Sequence, residues 1–196
     1  MPLSHKELLS EALELASIAG VVANVCDHSE HNEVADPLET RIAGQRLRAA
    51  SLRLAQGTTE SIVELYQQRL RAIELRNVLH HPGAFDGPSL ITESASWREL
   101  QLIQIEHDRF YHPDVLGLTK ADQLRHYALH LAKLAAAAAD AARGLIPEDD
   151  FVARRVPDVL LFGLKLATVT GEKLQEQSIL GAPDPVIFEG VAATPR

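Results

Sequence analysis

The chain has little of several things, and each shortage removes a class of protein. It has one cysteine, Cys26, in 196 residues. It therefore makes no internal disulfide, which removes the disulfide-stapled secreted scaffolds and fits a reducing, cytoplasmic setting. Aromatic residues are 5% of the chain, with a single Trp. No apolar run approaches the roughly 18–20 residues of a membrane span. The N-terminus lacks a basic stretch followed by an apolar one, so no signal peptide is expected. Basic residues are outnumbered, 19 against 27 acidic, for a net charge of −8; nucleic acid is thus a poor partner, because affinity for it rests largely on phosphate neutralisation by Lys and Arg. Segments alternating apolar and polar residues in β fashion are missing too.

What is present is helical periodicity and histidine, nine residues of it. Ser4 with Glu7 forms a capping-box signature, followed to Val25 by Leu8, Ala12, Leu15 and Ala19 at helical spacing. Asp36-Pro37 starts a second helix that Gly57 stops, and Thr58 or Thr59 caps a third that ends at His81-Pro82-Gly83. Ser96 caps a helix ending before Pro113, and Thr119 opens the longest one, closed by Gly144. Pro147-Glu148-Asp149-Asp150 opens the last, kinked at Pro157 and running to about Gln177. The expectation is an all-α fold of about six helices in a three-plus-three arrangement. Residues 1–82 form the N-terminal part, 83–96 a linker, 97–180 the C-terminal part and 181–196 an extended tail, with a single domain as the alternative.

Five features bear on chemistry. His126 and His130 stand at i and i+4, the spacing that lets two imidazoles share one metal ion, although a solvated helix face that happens to hold two His is the simpler reading. Glu106, in Glu106-His107-Asp108 ahead of His112, is a carboxylate able to complete a two-His, one-carboxylate site; it is preferred because Ile103, Glu106 and Phe110 share a face. His107 and His112 have a simpler reading as helix C-terminal residues. Asp158, after Arg154-Arg155-Val-Pro, is either an N-cap or an inward-facing acid. Glu11, Glu14, Glu33 and Asp36 form two carboxylate pairs with oxygen ligands suited to Mg²⁺, yet Asp36 reads as an N-cap and Glu33 as loop. Two stretches, Arg76-Asn77-x3-His81 and Arg125-His126-x3-His130, resemble the Arg-polar-x3-His motif of HEPN-type helical ribonucleases; the resemblance implies that Arg holds phosphate charge while His exchanges protons.

A second resemblance covers residues 97–177. The stretches Asp122-Gln-Leu-Arg-His-Tyr-Ala-Leu-His-Leu-Ala-Lys-Leu and Arg154-Arg-Val-Pro-Asp-Val-Leu-Leu-Phe-Gly-Leu-Lys-Leu-Ala resemble the metal-binding core of MazG-like, all-α nucleoside triphosphate pyrophosphohydrolases. In that family, Glu-Glu-x-x-Glu-Leu on one helix and Glu-x-x-Asp-Val-Leu on the next hold Mg²⁺, which clamps a triphosphate. Here His126, Tyr127 and His130 stand at the first set of acid positions and Arg155 at the first acid of the second set. Asp158 alone stays acidic. Two imidazoles and one carboxylate suit a transition metal better than Mg²⁺.

The resemblance thus implies a diverged helical protein without Mg²⁺-dependent hydrolysis, acting as a ligand-binding or regulatory module. A small phosphorylated ligand near Arg125, Tyr127 and Arg155 fits it, as does assembly into a homo-oligomer, a dimer first. The alternatives are a metalloenzyme built on His126, His130, Asp158 and Glu106, and a HEPN-like ribonuclease using Arg125 and His130.

Overall fold

The computed structural model describes residues 3–31, 36–77 and 87–179. Their helices are α1 (His5–Glu30), α2 (Pro37–Ala55), α3 (Ile62–Asn77), α4 (Trp97–Tyr111), α5 (Pro113–Leu116), α6 (Lys120–Ala142), α7 (Glu148–Arg154) and α8 (Val156–Val169), with a 3₁₀ turn at Gly87–Leu90. The fold is all-α. Glu33, His80, His81 and the 181–196 tail lie outside the described residues, as does the point where the third helix was expected to end.

Local chemistry sets most of the helix starts. Ser4 and Ser96 each accept from a backbone N–H three residues on, while Glu7 and Glu99 reach back to close the capping boxes. The Asp36 carboxylate accepts from Leu38 N–H at 2.8 Å. Thr119 caps α6, and Gly144 leaves it with φ of 70°, a left-handed conformation that glycine adopts without steric cost. Three boundaries differ from expectation. Ser61, not Thr58 or Thr59, caps α3: its hydroxyl accepts from Glu64 N–H at 3.2 Å, and Glu64 accepts from Ser61 N–H at 2.7 Å. Helix α1 continues past Val25 through the polar Asp27-His28-Ser29, because Val25 and Cys26 are buried and Cys26 Sγ reaches Ala121 O of α6 at 3.9 Å. The final helix divides at Arg155 and ends at Val169, where Gly171 takes φ of 73°, rather than running to Gln177.

Packing joins the two halves of the chain. Helix α1 lies along α6 and α2 along α8, while α8 also meets α3, α4, α6 and α7. Every residue from Val156 to Ala167 is buried, as expected of a helix apolar on all sides. The α2–α8 crossing depends on two glycines. A Cβ on Gly163 would stand 2.8 Å from Arg48 Cγ and 3.2 Å from Arg48 N, and one on Gly44 would meet Leu166 Cβ at 3.3 Å. One continuous apolar cluster runs from Leu15 and Ile18 through Leu47 and Leu54 to Leu131, Leu160 and Leu164. After α8 the chain returns to the start of α4: Trp97 N–H donates to Gln177 O at 3.2 Å, Arg98 N–H to Gln175 O at 3.0 Å, and Ile179 N–H to Ala95 O at 3.2 Å.

By length and composition, the His5–Ser29 stretch is long and apolar enough to cross a membrane. The expectation that no stretch approaches that length is corrected accordingly. About 44% of its apolar window is buried inside the protein.

Candidate functional site

Helix α4 should pack its core through Leu and Ile, yet most of its buried face is polar. Trp97, Leu100, Gln101, Gln104, His107, Asp108 and Tyr111 are buried and follow helical spacing. Lys165, the one cation within the apolar 156–169 helix, meets this face from α8. Its ammonium lies 2.9 Å from Asp108 Oδ1, and both side chains are under 10% exposed. Gln104 Nε2 donates to the same oxygen at 2.9 Å, and Tyr66 of α3 donates its hydroxyl to Gln104 Oε1 at 2.7 Å. A buried charge pair persists only when it is well hydrogen-bonded, and this network supplies the bonds from three helices.

Imidazoles gather around the ion pair. His107 is fully buried, its Nδ1 3.8 Å from Asp108 Oδ1. The ring of His112, at the C-cap of α4, lies 6.0 Å from that of His107. From α6, His126 and His130 bring their rings to 4.6 Å of each other, and His130 stacks on Phe162 of α8 at 5.1 Å. The Lys165 ammonium sits 5.8 Å from the Tyr127 ring and 5.7 Å from the Phe162 ring.

The electrostatics follow from burial beside a cation. Burial, then repulsion from the charges that His126, Lys133, Lys165 and His112 can carry, pushes His130 down to about 4. Burial and Lys165 also lower His126 and His112. These imidazoles are neutral near pH 7. Burial acts to raise the Asp108 carboxyl, but the neighbouring His107 imidazole and the Lys165 charge outweigh it, and the group stays below the usual aspartate range. Burial and the Asp108 charge raise the Tyr127 hydroxyl, which stays protonated.

The proposed metal set of His126, His130, Asp158 and Glu106 does not assemble. Glu106 is exposed and pairs with Arg109; the inward face of α4 is offset from it, and Asp108 is the buried acid. Asp158 is buried, but Arg69 of α3 forks onto both its oxygens at 2.6 and 3.0 Å, with Arg155 at 3.9 Å. Burial raises the Asp158 carboxyl, opposed chiefly by Arg69. Among the described residues, the group whose ligand atoms lie within 4.8 Å of one another is His107, Asp108 and His112.

The ligand set divides as well. Arg155 stays beside Asp158, and Tyr127 is buried with its ring against Phe162 at 5.7 Å. Arg125 instead pairs with Asp122 at 3.0 Å and lines a groove of about 440 Å³ between α1 and α6, with Gly20, Cys26 and Asp27. Five helical residues place Arg125 and His130 about 140° apart around α6, so the two halves of the HEPN-like motif face different neighbours. Glu11 and Glu14 are each held by a forked arginine, Arg53 at 2.6 and 3.0 Å and Arg46 at 2.8 Å to both oxygens. Asp36 caps α2.

Sequence reasoning singled out neither Lys165 nor the Gln101, Gln104, Asp108 stripe. Both left a signal: a lone Lys inside an apolar run, and polar residues at i, i+3 and i+7 on the face that carries Trp97 and Leu100. No family model, curated protein or solved structure matches the chain.

Proposed function

We propose that this protein is a diverged MazG-like helical module that binds a small phosphorylated ligand through its own cations and imidazoles, without Mg²⁺-dependent hydrolysis. One observation carries this reading. The single acid that remains at the family's metal positions, Asp158, is already clamped by Arg69 at 2.6 and 3.0 Å. A Mg²⁺ ion needs near-octahedral oxygen ligands, and here it would have to displace a guanidinium and accept imidazoles in place of carboxylates. Lys165 supports the same reading, since its charge acts on Asp108, His112, His126, His130 and Asp158. A phosphate group entering beside His126 and His130 would meet N–H donors and the field of Lys165, the environment that a dication otherwise provides.

Homodimer formation belongs to this reading. Leu13 and Leu129 are more than 60% exposed, and Leu129 lines the α1–α6 groove. Light scattering of the purified chain should give twice the chain mass.

The functional test has two arms. With nucleoside triphosphates and Mg²⁺ or Mn²⁺, pyrophosphate release should stay at background. In calorimetry, a nucleoside triphosphate should bind the wild type, and the His126→Ala/His130→Ala variant should bind it at least ~10-fold more weakly, about 1.4 kcal/mol. Metal-dependent turnover or equal affinity of the two proteins would reject the reading.

A further inference from the structure

We propose that His107, Asp108 and His112, at the C-terminal end of α4, form a three-ligand site for a divalent transition metal of the zinc type. This site is separate from the His126–His130 pair, and it stands whether or not a phosphorylated ligand binds there.

The geometry begins with the backbone. On an unbroken helix, residues 107 and 112 would point about 140° apart. His112 leaves the helix at φ −135° and ψ 45°, as the residue between α4 and α5, and its ring comes to 6.0 Å from that of His107. A metal about 2.0–2.1 Å from one nitrogen of each imidazole holds the two ring centres roughly 5–6 Å apart. The ligand atoms of His107, Asp108 and His112 already lie within 4.8 Å of one another. His107 and Asp108 are buried and His112 is half-buried, so two ligands are fixed by the core while the third is partly open to solvent.

The donor set selects the metal. Two imidazoles and one carboxylate suit zinc, cobalt and iron, and they leave a fourth position for water or a substrate. An ionised carboxylate offers about four lone-pair sites. Asp108 can therefore keep the bonds from Gln104 Nε2 and Lys165 Nζ, each at 2.9 Å, while it ligates. Those bonds are the outer support that metal-binding carboxylates require, and Tyr66 extends it by donating to Gln104 at 2.7 Å. The Lys165 ammonium beside the site works against any dication, most of all one held only by charge such as Mg²⁺; nitrogen ligands with covalent character are what retain a zinc-type ion. His126 and His130, although their rings are closer, lack the third ligand because Asp158 is held by Arg69 and Glu106 by Arg109.

The test uses the full chain without a polyhistidine tag, stripped with chelator and titrated with Co²⁺. The expected result is one equivalent bound, with a visible d–d band that Zn²⁺ abolishes by displacement. The band and the stoichiometry should be lost in His112→Ala and in the bulkier His112→Gln, each checked for helical content by circular dichroism. They should persist in His126→Ala/His130→Ala. Absence of stoichiometric metal in the wild type would overturn the assignment. So would metal that survives in a folded His112 variant, or metal that disappears with His126 and His130.

Discussion

The α1–α2 contact and the α4–α8 contact are built from the same kind of helix but manage charge in opposite ways. Between α1 and α2 the core side is apolar, and the ion pairs Glu11–Arg53 and Glu14–Arg46 lie on the rim, partly open to water. Between α4 and α8, Asp108 and Lys165 are inside, under 10% exposed, and tied to Gln104 and Tyr66. A rim pair contributes little to stability because water screens it. A buried pair is no more stabilising than a well-packed apolar pair of the same volume, yet it is costly to break. The polar centre is therefore poorly accounted for by stability alone, whereas the proposed ligand and metal binding gives it a role.

Four substitutions sharpen or break this contrast. The largest effect should come from Lys165→Met, which leaves the Asp108 carboxylate buried without its cation; the expected loss is about 3–5 kcal/mol in chemical denaturation. Lys165→Met/Asp108→Leu should recover most of it, and a double variant as unstable as the single would mean that the pair is not what the site depends on. Next is Gly163→Ala. The added methyl meets Arg48 at 2.8 and 3.2 Å, so α2 and α8 must separate, at a cost of about 1–3 kcal/mol in thermal or urea unfolding. Arg46→Met, on the rim, should cost less than about 1 kcal/mol, and a loss as large as that for Lys165→Met would erase the distinction between the two regions.

The smallest effect concerns pH. His130 is faced by His126 and Lys133 on its own helix, by Lys165 from α8 and by His112 from the α4–α5 junction. Its folded-state value of about 4 lies below the ordinary 6.5. The unfolded chain therefore takes up the proton first, so this contribution is complete above about pH 6.5 and is lost as pH falls toward 4. His130→Gln should flatten the melting-temperature profile between those limits. An unchanged profile would mean that the imidazole is not held neutral by its surroundings.

The sequence was most informative where structure depends on near neighbours. Ser4 with Glu7, Asp36-Pro37, Ser96, Thr119 and Gly144 mark helix ends through bonds spanning a few residues, and those ends are where they were expected. Errors arose where a distant partner decides. Burial of Val25 and Cys26, the latter against α6, carries α1 beyond its polar stretch. The spacing of Ile103, Glu106 and Phe110 puts Glu106 on the expected inward face of α4. That face instead follows Leu100, Gln104, His107 and Asp108, and glutamines at core positions do not register as apolar periodicity. The i, i+4 spacing correctly placed His126 beside His130, since that relation is internal to one helix. Whether Asp158 joined them depended on Arg69, which is 89 residues away in the chain.

The central claim is that imidazoles and Lys165 take over the work of a Mg²⁺ ion at the α6–α8 face. Calorimetric titration of the wild-type chain with a nucleoside triphosphate, run once with Mg²⁺ and once with excess EDTA, tests it most directly. The account predicts saturable binding in EDTA at least as tight as in Mg²⁺, with no pyrophosphate in either cell. Binding that appears only with Mg²⁺, or heat accompanied by pyrophosphate release, would contradict it.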